Sequence, residues 1–120
     1  MSIKVLHIAE CAGGVERYLE MLLPRLKEAG ITQYLICSFQ YDKSKYSEIV
    51  DKVEQINLEQ TFSPSKLIKN IFIVRRKIKE LKPDIVYCHS SFAGGIGRLA
   101  TVGLHCKTIY NPHGWAFNIK

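Results

Sequence analysis

Ile3-Lys4-Val5-Leu6-His7-Ile8-Ala9, followed after a short gap by Gly13-Gly14-Val15-Glu16-Arg17, decides the fold of this chain. The first run is almost continuously apolar, as a strand must be when helices cover both faces of its sheet. The glycine pair breaks the run, and the pattern then changes period. Val15, Leu19, Leu22 and Leu26 recur at helical spacing, so a helix is predicted over 15–29, with Gly30 as its stop. A buried strand that turns through glycine into an amphipathic helix is the first half of a β-α-β crossover. Pro24 lies inside that helix, where it removes a donor and crowds the Glu20 carbonyl, so a kink or a division into two shorter helices is expected.

The alternation then repeats. Strand-like runs occupy 31–38, 84–89 and 107–111, with a short third strand over 53–58. Residues 40–46 read as a loop and 46–52 as a short helix. Ser63 and Pro64 fit the N-cap and first position of a long helix reaching Leu81, which Lys82-Pro83 ends. Ser90 or Ser91 opens a helix of small residues to about Gly103, and Pro112 breaks the last strand. Strands alternating with helices predict an α/β fold: a Rossmann-like three-layer sandwich with a mostly parallel sheet and right-handed crossovers. Such sheets bind ligands at the carboxyl ends of their strands.

At 120 residues the chain reads as one domain with room for a core, without repeats, linkers or low-complexity segments. Four cysteines, Cys11, Cys37, Cys88 and Cys106, are scattered without a Cys-x-x-Cys pair, so they read as reduced packing thiols and no metal site is expected. No apolar run is long enough to span a membrane, and the start of the chain lacks the order of a signal peptide, so a cytoplasmic location is expected. Seventeen Lys and Arg against eleven Asp and Glu give a net charge of +6, which favours anionic partners. No aromatic RNA-binding motif, zinc finger or helix-turn-helix pattern points to nucleic acid.

The residues able to carry chemistry fall in the loops after the strands. Gly13 and Gly14 can bring backbone amides against a phosphate or sugar at the positive end of a helix; the same pair also suits a tight turn. This is neither the dinucleotide fingerprint nor a P-loop. His113, with Gly114 behind it, follows the last strand on a loop of the kind that carries function, and its neutral ring can donate and accept. His89 and Ser90 end one strand and open a helix, where hydroxyls and free amides suit an anion, although serine is also a good cap. Glu10 and Glu16 are the acids near this edge; Glu16 can bind a hydroxyl or simply favour the helix start. His7, inside the first strand, reads as a satisfied core histidine, and His105 as a loop residue. On the helix over 64–81, Leu67, Ile71, Val74, Ile78 and Leu81 form the inward stripe, while Lys69, Arg76 and Lys79 with Ile68, Phe72 and Ile73 line the other side. That side fits an anionic membrane surface, or a solvated face with its apolar residues covered by another element.

Taken together, Lys4-Val5-Leu6-His7-Ile8, Gly13-Gly14-Val15-Glu16-Arg17, Leu26-Lys27-Glu28-Ala29-Gly30, Lys82-Pro83-Asp84-Ile85-Val86-Tyr87-Cys88-His89-Ser90 and His113-Gly114 resemble the N-terminal domain of GT-B glycosyltransferases of family 4. The wording is most similar to bacterial enzymes of capsular and other exopolysaccharide assembly. The resemblance implies a two-domain enzyme that moves a sugar from a nucleotide-sugar, UDP- or another NDP-sugar, to a glycan acceptor, often lipid-linked. It implies retention of anomeric configuration and no metal or other cofactor. It places the N-terminal half on the acceptor side, often with a basic surface towards the inner face of the membrane. By this likeness Gly13, Gly14 and Gly114 lie by the donor phosphates and sugar and His113 lies at the reaction centre. Glu16, His89 and Ser90 are the acceptor-side candidates.

The sequence departs from that pattern in lacking the C-terminal half with its Glu-x7-Glu motif, so the chain alone is expected to transfer no sugar. It ends seven residues after His113 without a closing helix, which reads as half of a larger fold. Two other readings stand beside it: a non-catalytic subunit of a split transferase, and a flavodoxin-like binder of phosphate ligands.

Overall fold

The computed structural model describes residues 3–9, 14–38, 43–56, 64–89, 91–104 and 106–110. Five strands and four helices alternate along them: β1 (Lys4–Ala9), α1 (Gly14–Glu28), β2 (Thr32–Cys37), α2 (Lys43–Ser47), β3 (Lys52–Gln55), α3 (Pro64–Leu81), β4 (Ile85–Cys88), α4 (Ser91–Ala100) and β5 (Lys107–Tyr110). All pairings are parallel, and the sheet order is β3-β2-β1-β4-β5. The predicted α/β class and element order are those observed.

Strand periodicity divides the core into two layers. Leu6 and Ile8 of β1, Ile36 of β2 and Val86 and Cys88 of β4 pack with Val74 and Ile78 of α3 and Ile96 and Ala100 of α4. The alternate positions Ala9, Leu35 and Cys37 pack on the opposite face with Leu19 and Leu23 of α1 and with Tyr46, Val50 and Val53. A helix therefore covers each face of the central strand, and Val5, Leu6, Ile8 and Ala9 of β1 are all buried. Gly97 lets α4 approach β4 closely: a Cβ there would stand 2.4 Å from the Cys88 sulfur.

The details refine several expectations. α1 is one continuous helix through Pro24, and its deepest residues are Leu19 and Leu23, with Leu22 and Leu26 only half-buried. Its end is a Schellman cap: Gly30, at φ 82°, donates to the Lys27 carbonyl and Ile31 donates to that of Leu26. α2 begins at Lys43, inside the expected loop, and β3 begins one residue early. The reason is tertiary: the fully buried Tyr46 ring anchors this segment in the core, and Ile49 and Val50 turn back onto its carbonyl. A Lys45–Glu20 ion pair ties α2 to α1. On α3, Val74 and Ile78 are buried and Leu67, Ile71 and Leu81 pack partly against them, as the periodicity predicts. Asn70 joins the buried side.

Among these apolar contacts lies a polar one. His7 is wholly buried on the α1 face of β1, and its Nε2 is 2.9 Å from Oε1 of Gln33 on β2. Gln33 in turn donates from Nε2 to the Leu23 carbonyl of α1 at 2.9 Å. Burial pushes the His7 pKa down from 6.5 to about 4, against the opposing pull of the Gln33 hydrogen bond. The folded protein thus holds His7 neutral, while the unfolded chain protonates it near pH 6.5. This contribution to stability is complete above pH 6.5 and is lost as the pH falls towards 4. Each tenfold in proton affinity is worth ~1.4 kcal/mol, so the loss is of order 3 kcal/mol. Denaturant unfolding measured from pH 7 to pH 4 should show this decline, and a His7→Gln variant should show a shallower one. Equal slopes for the two proteins would contradict the assignment.

Candidate functional site

The strand order reverses between β1 and β4. β1 leads through α1 towards β2 on one side, and β4 leads through α4 towards β5 on the other. In sheets of this kind the two crossovers part at the carboxyl edge and leave a crevice there. α1 and α4 begin at this edge, at Gly14 and Ser91, so the positive ends of two helices face the same opening. The ladder runs up to it in register: Ile8 pairs with Cys88, Cys88 with Tyr110, and the His89 amide donates to the Ile8 carbonyl at 3.0 Å.

Just below the edge, His89 is fully buried. Its Nε2 lies 2.9 Å from Nδ1 of His7. The ring stacks flat on Tyr87, with centroids 4.2 Å apart and planes 4° apart. The Tyr87 hydroxyl is 3.0 Å from that of Tyr18 on α1. A seam of polar and aromatic groups therefore runs from the Leu23 carbonyl through Gln33, His7 and His89. It joins α1, β2, β1 and the end of β4, and the tyrosine pair makes a second tie between β4 and α1.

The sequence-based candidates divide into three groups. Gly14 is the first residue of α1 and Glu16 lies in its first turn. Gly13, Ser90, His113 and Gly114, together with Glu10 and His105, lie outside the described residues. His89, an acceptor-side candidate at the end of its strand, is fully buried: its Nε2 turns towards His7 because a second buried imidazole there needs a partner. His7 is the satisfied core histidine expected. Gln33, Tyr18 and Tyr87 were missed. The signal for Gln33 was present, since a histidine inside a buried strand requires a polar partner on the same face of a neighbouring strand.

Chemically, His7 is a neutral structural imidazole with both nitrogens engaged. The start of α1 offers backbone N–H groups that no carbonyl within the helix can satisfy, a chemistry suited to phosphate or a sugar hydroxyl. Among the described residues no group of three or more metal-ligating side chains occurs, and no helix is long and apolar enough to cross a membrane.

Solved structures share this architecture. A glycosyltransferase from Rickettsia africae aligns over 93% of this chain and 30% of its own, at TM-score 0.73 and 22% identity. The lipopolysaccharide outer core galactosyltransferase WaaB aligns over 92% and 33%, at TM-score 0.74 and 22% identity. UDP-GlcNAc 2-epimerase from Methanocaldococcus jannaschii aligns over 90% and 31%, at TM-score 0.71 and 15% identity. The chain thus spans about a third of the length of these proteins, and the likeness is one of fold. No curated protein matches it in sequence. The family itself is decided by residues 12–119, which match Glycosyltransferase Family 4 along nearly the whole chain: the chain belongs to that family.

Proposed function

We propose that this chain is the acceptor-side, N-terminal half of an enzyme that transfers a sugar from a nucleotide-sugar, UDP- or another NDP-sugar, to a glycan in polysaccharide assembly of the capsular type. The observation that carries the reading is the reversal of strand order between β1 and β4, with α1 opening at Gly14 on that edge, in a chain of glycosyltransferase family 4. The family membership favours it over a flavodoxin-like binder. The neighbours named as a glycosyltransferase, a galactosyltransferase and a UDP-GlcNAc 2-epimerase are consistent with a nucleotide-sugar at this edge.

In this reading a second domain carries most of the nucleotide-sugar, and this half completes the cleft. Amides of Gly13 and Gly14, at the positive end of α1, stabilise the diphosphate as it departs and gathers charge. His113, with Gly114 giving the backbone room, meets the donor sugar and holds it for attack. Glu16 and Ser90 orient the acceptor hydroxyl. Transfer retains configuration and uses no metal. In the intact enzyme, His113→Ala should lower kcat by ~100-fold or more, as loss of a group at the developing charge does, with the melting temperature unchanged. A radiolabelled sugar-transfer assay reads this, and near wild-type turnover would refute the assignment.

The acceptor is lipid-linked, and the chain works at the cytoplasmic face of a membrane. Supporting this reading, Ile68 and Phe72 on α3 are 52% and 65% exposed among the exposed basic residues Lys66, Lys69, Arg76 and Lys79. Val102, 63% exposed, lies alongside, because Arg75, one turn beyond Phe72, donates to its carbonyl. Basic groups around exposed apolar side chains suit an anionic lipid surface. The chain should float with vesicles containing anionic lipid and not with neutral ones. The double variant Ile68→Ser, Phe72→Ser should stay in the soluble fraction. Absence of flotation with anionic vesicles would overturn this part of the reading.

A further inference from the structure

The buried seam has a direction that its partners fix. The Leu23 carbonyl can only accept, so the Gln33 atom facing it must be the amide nitrogen. Gln33 Oε1 is then an acceptor, and His7 must present Nε2–H to it. Held neutral by burial, His7 keeps a bare Nδ1, so His89 must supply the hydrogen from its Nε2. Every proton in the line is therefore assigned from one backbone carbonyl on α1. The line reaches His89, the last residue but one before α4 begins at Ser91. Its origin, Leu23, and the tyrosine tie at Tyr18 both lie on the helix that Gly14 opens. The same few side chains thus hold both helix starts that border the crevice.

We propose that Gln33 and His7 are positioning residues that hold His89 in a single tautomer, Nε2 protonated, and thereby fix the helix starts on either side of the crevice for sugar transfer. This rests on the reading that the crevice carries the transfer site. None of the three touches the reacting atoms; each acts through the geometry of the edge. Fixed geometry matters there because a small misplacement of groups around a reacting centre lowers the rate far more than it weakens binding.

Nitrogen-15 spectra of the histidine rings in this chain read the tautomers directly. His7 should show a protonated Nε2 and a bare Nδ1, and His89 a protonated Nε2; a protonated Nδ1 on His7 or a bare Nε2 on His89 overturns the relay. Gln33→Met removes the acceptor and should leave both rings as tautomer mixtures. In the intact enzyme it should lower kcat by ~10-fold with KM for the nucleotide-sugar within about twofold. Val74→Ala loosens the core on the opposite face of the sheet without touching the line, and should keep the wild-type tautomers and kcat. Wild-type kcat in Gln33→Met, or an equal loss in Val74→Ala, would reduce the seam to packing and overturn the positioning role. An intact enzyme that transfers no sugar at all would refute the function proposed for the crevice, while the ring spectra would still decide the relay.

Discussion

A histidine on the central strand of a parallel sheet has water on neither face, so both of its ring nitrogens must be paired within the protein. His7 is in that position, and its pairing constrains much of the fold. One nitrogen requires Gln33 on β2, whose amide in turn requires the Leu23 carbonyl on α1. The other requires His89 at the end of β4. A buried donor or acceptor left without a partner costs ~1–3 kcal/mol, so the line is maintained as a whole or lost in steps of that size. Hydrophobic burial brings the two layers together, but it tolerates small sliding of a helix on a sheet. Directional bonds between α1 and three strands do not.

The constraint acts where the chain builds its candidate site. The seam lies on the α1 face, just beneath the edge at which β1 and β4 part. The other face is bound differently, by aliphatic packing of α3 and α4 and by the close approach that Gly97 permits. The molecule thus has a polar, geometrically specified side that borders the crevice, and an apolar side that leaves Ile68 and Phe72 of α3 in solvent.

Most of the architecture was legible in the residues. The apolar run of β1 and Pro64 at the first position of α3 located elements almost to the residue, because each reflects a local rule. α2 was misplaced because only the burial of Tyr46, a tertiary fact, tells where that helix starts. The continuity of α1 through Pro24 is likewise a tertiary matter, since Leu19 and Leu23 in the turns before it are packed into the core. His7 was read correctly, since a strand periodicity that buries its neighbours buries it too. His89 was read as an acceptor-side candidate, because position at a strand end does not reveal a second imidazole across the ladder. Gln33, the partner on the other side of His7, follows from the requirement that a buried imidazole be satisfied, a requirement that residue spacing alone does not express.

The central claim is that the crevice between β1 and β4, opened by α1, is where this family 4 chain meets a nucleotide-sugar. Titration of UDP into the nitrogen-15-labelled chain, followed through its backbone amides, tests it most directly. The account predicts that the largest shifts fall on Gly14 to Arg17 at the start of α1 and on His89 and Ser91 across the crevice. Shifts centred instead on the opposite edge, around Lys82, Asp84 and Lys107, with α1 unmoved, would contradict it.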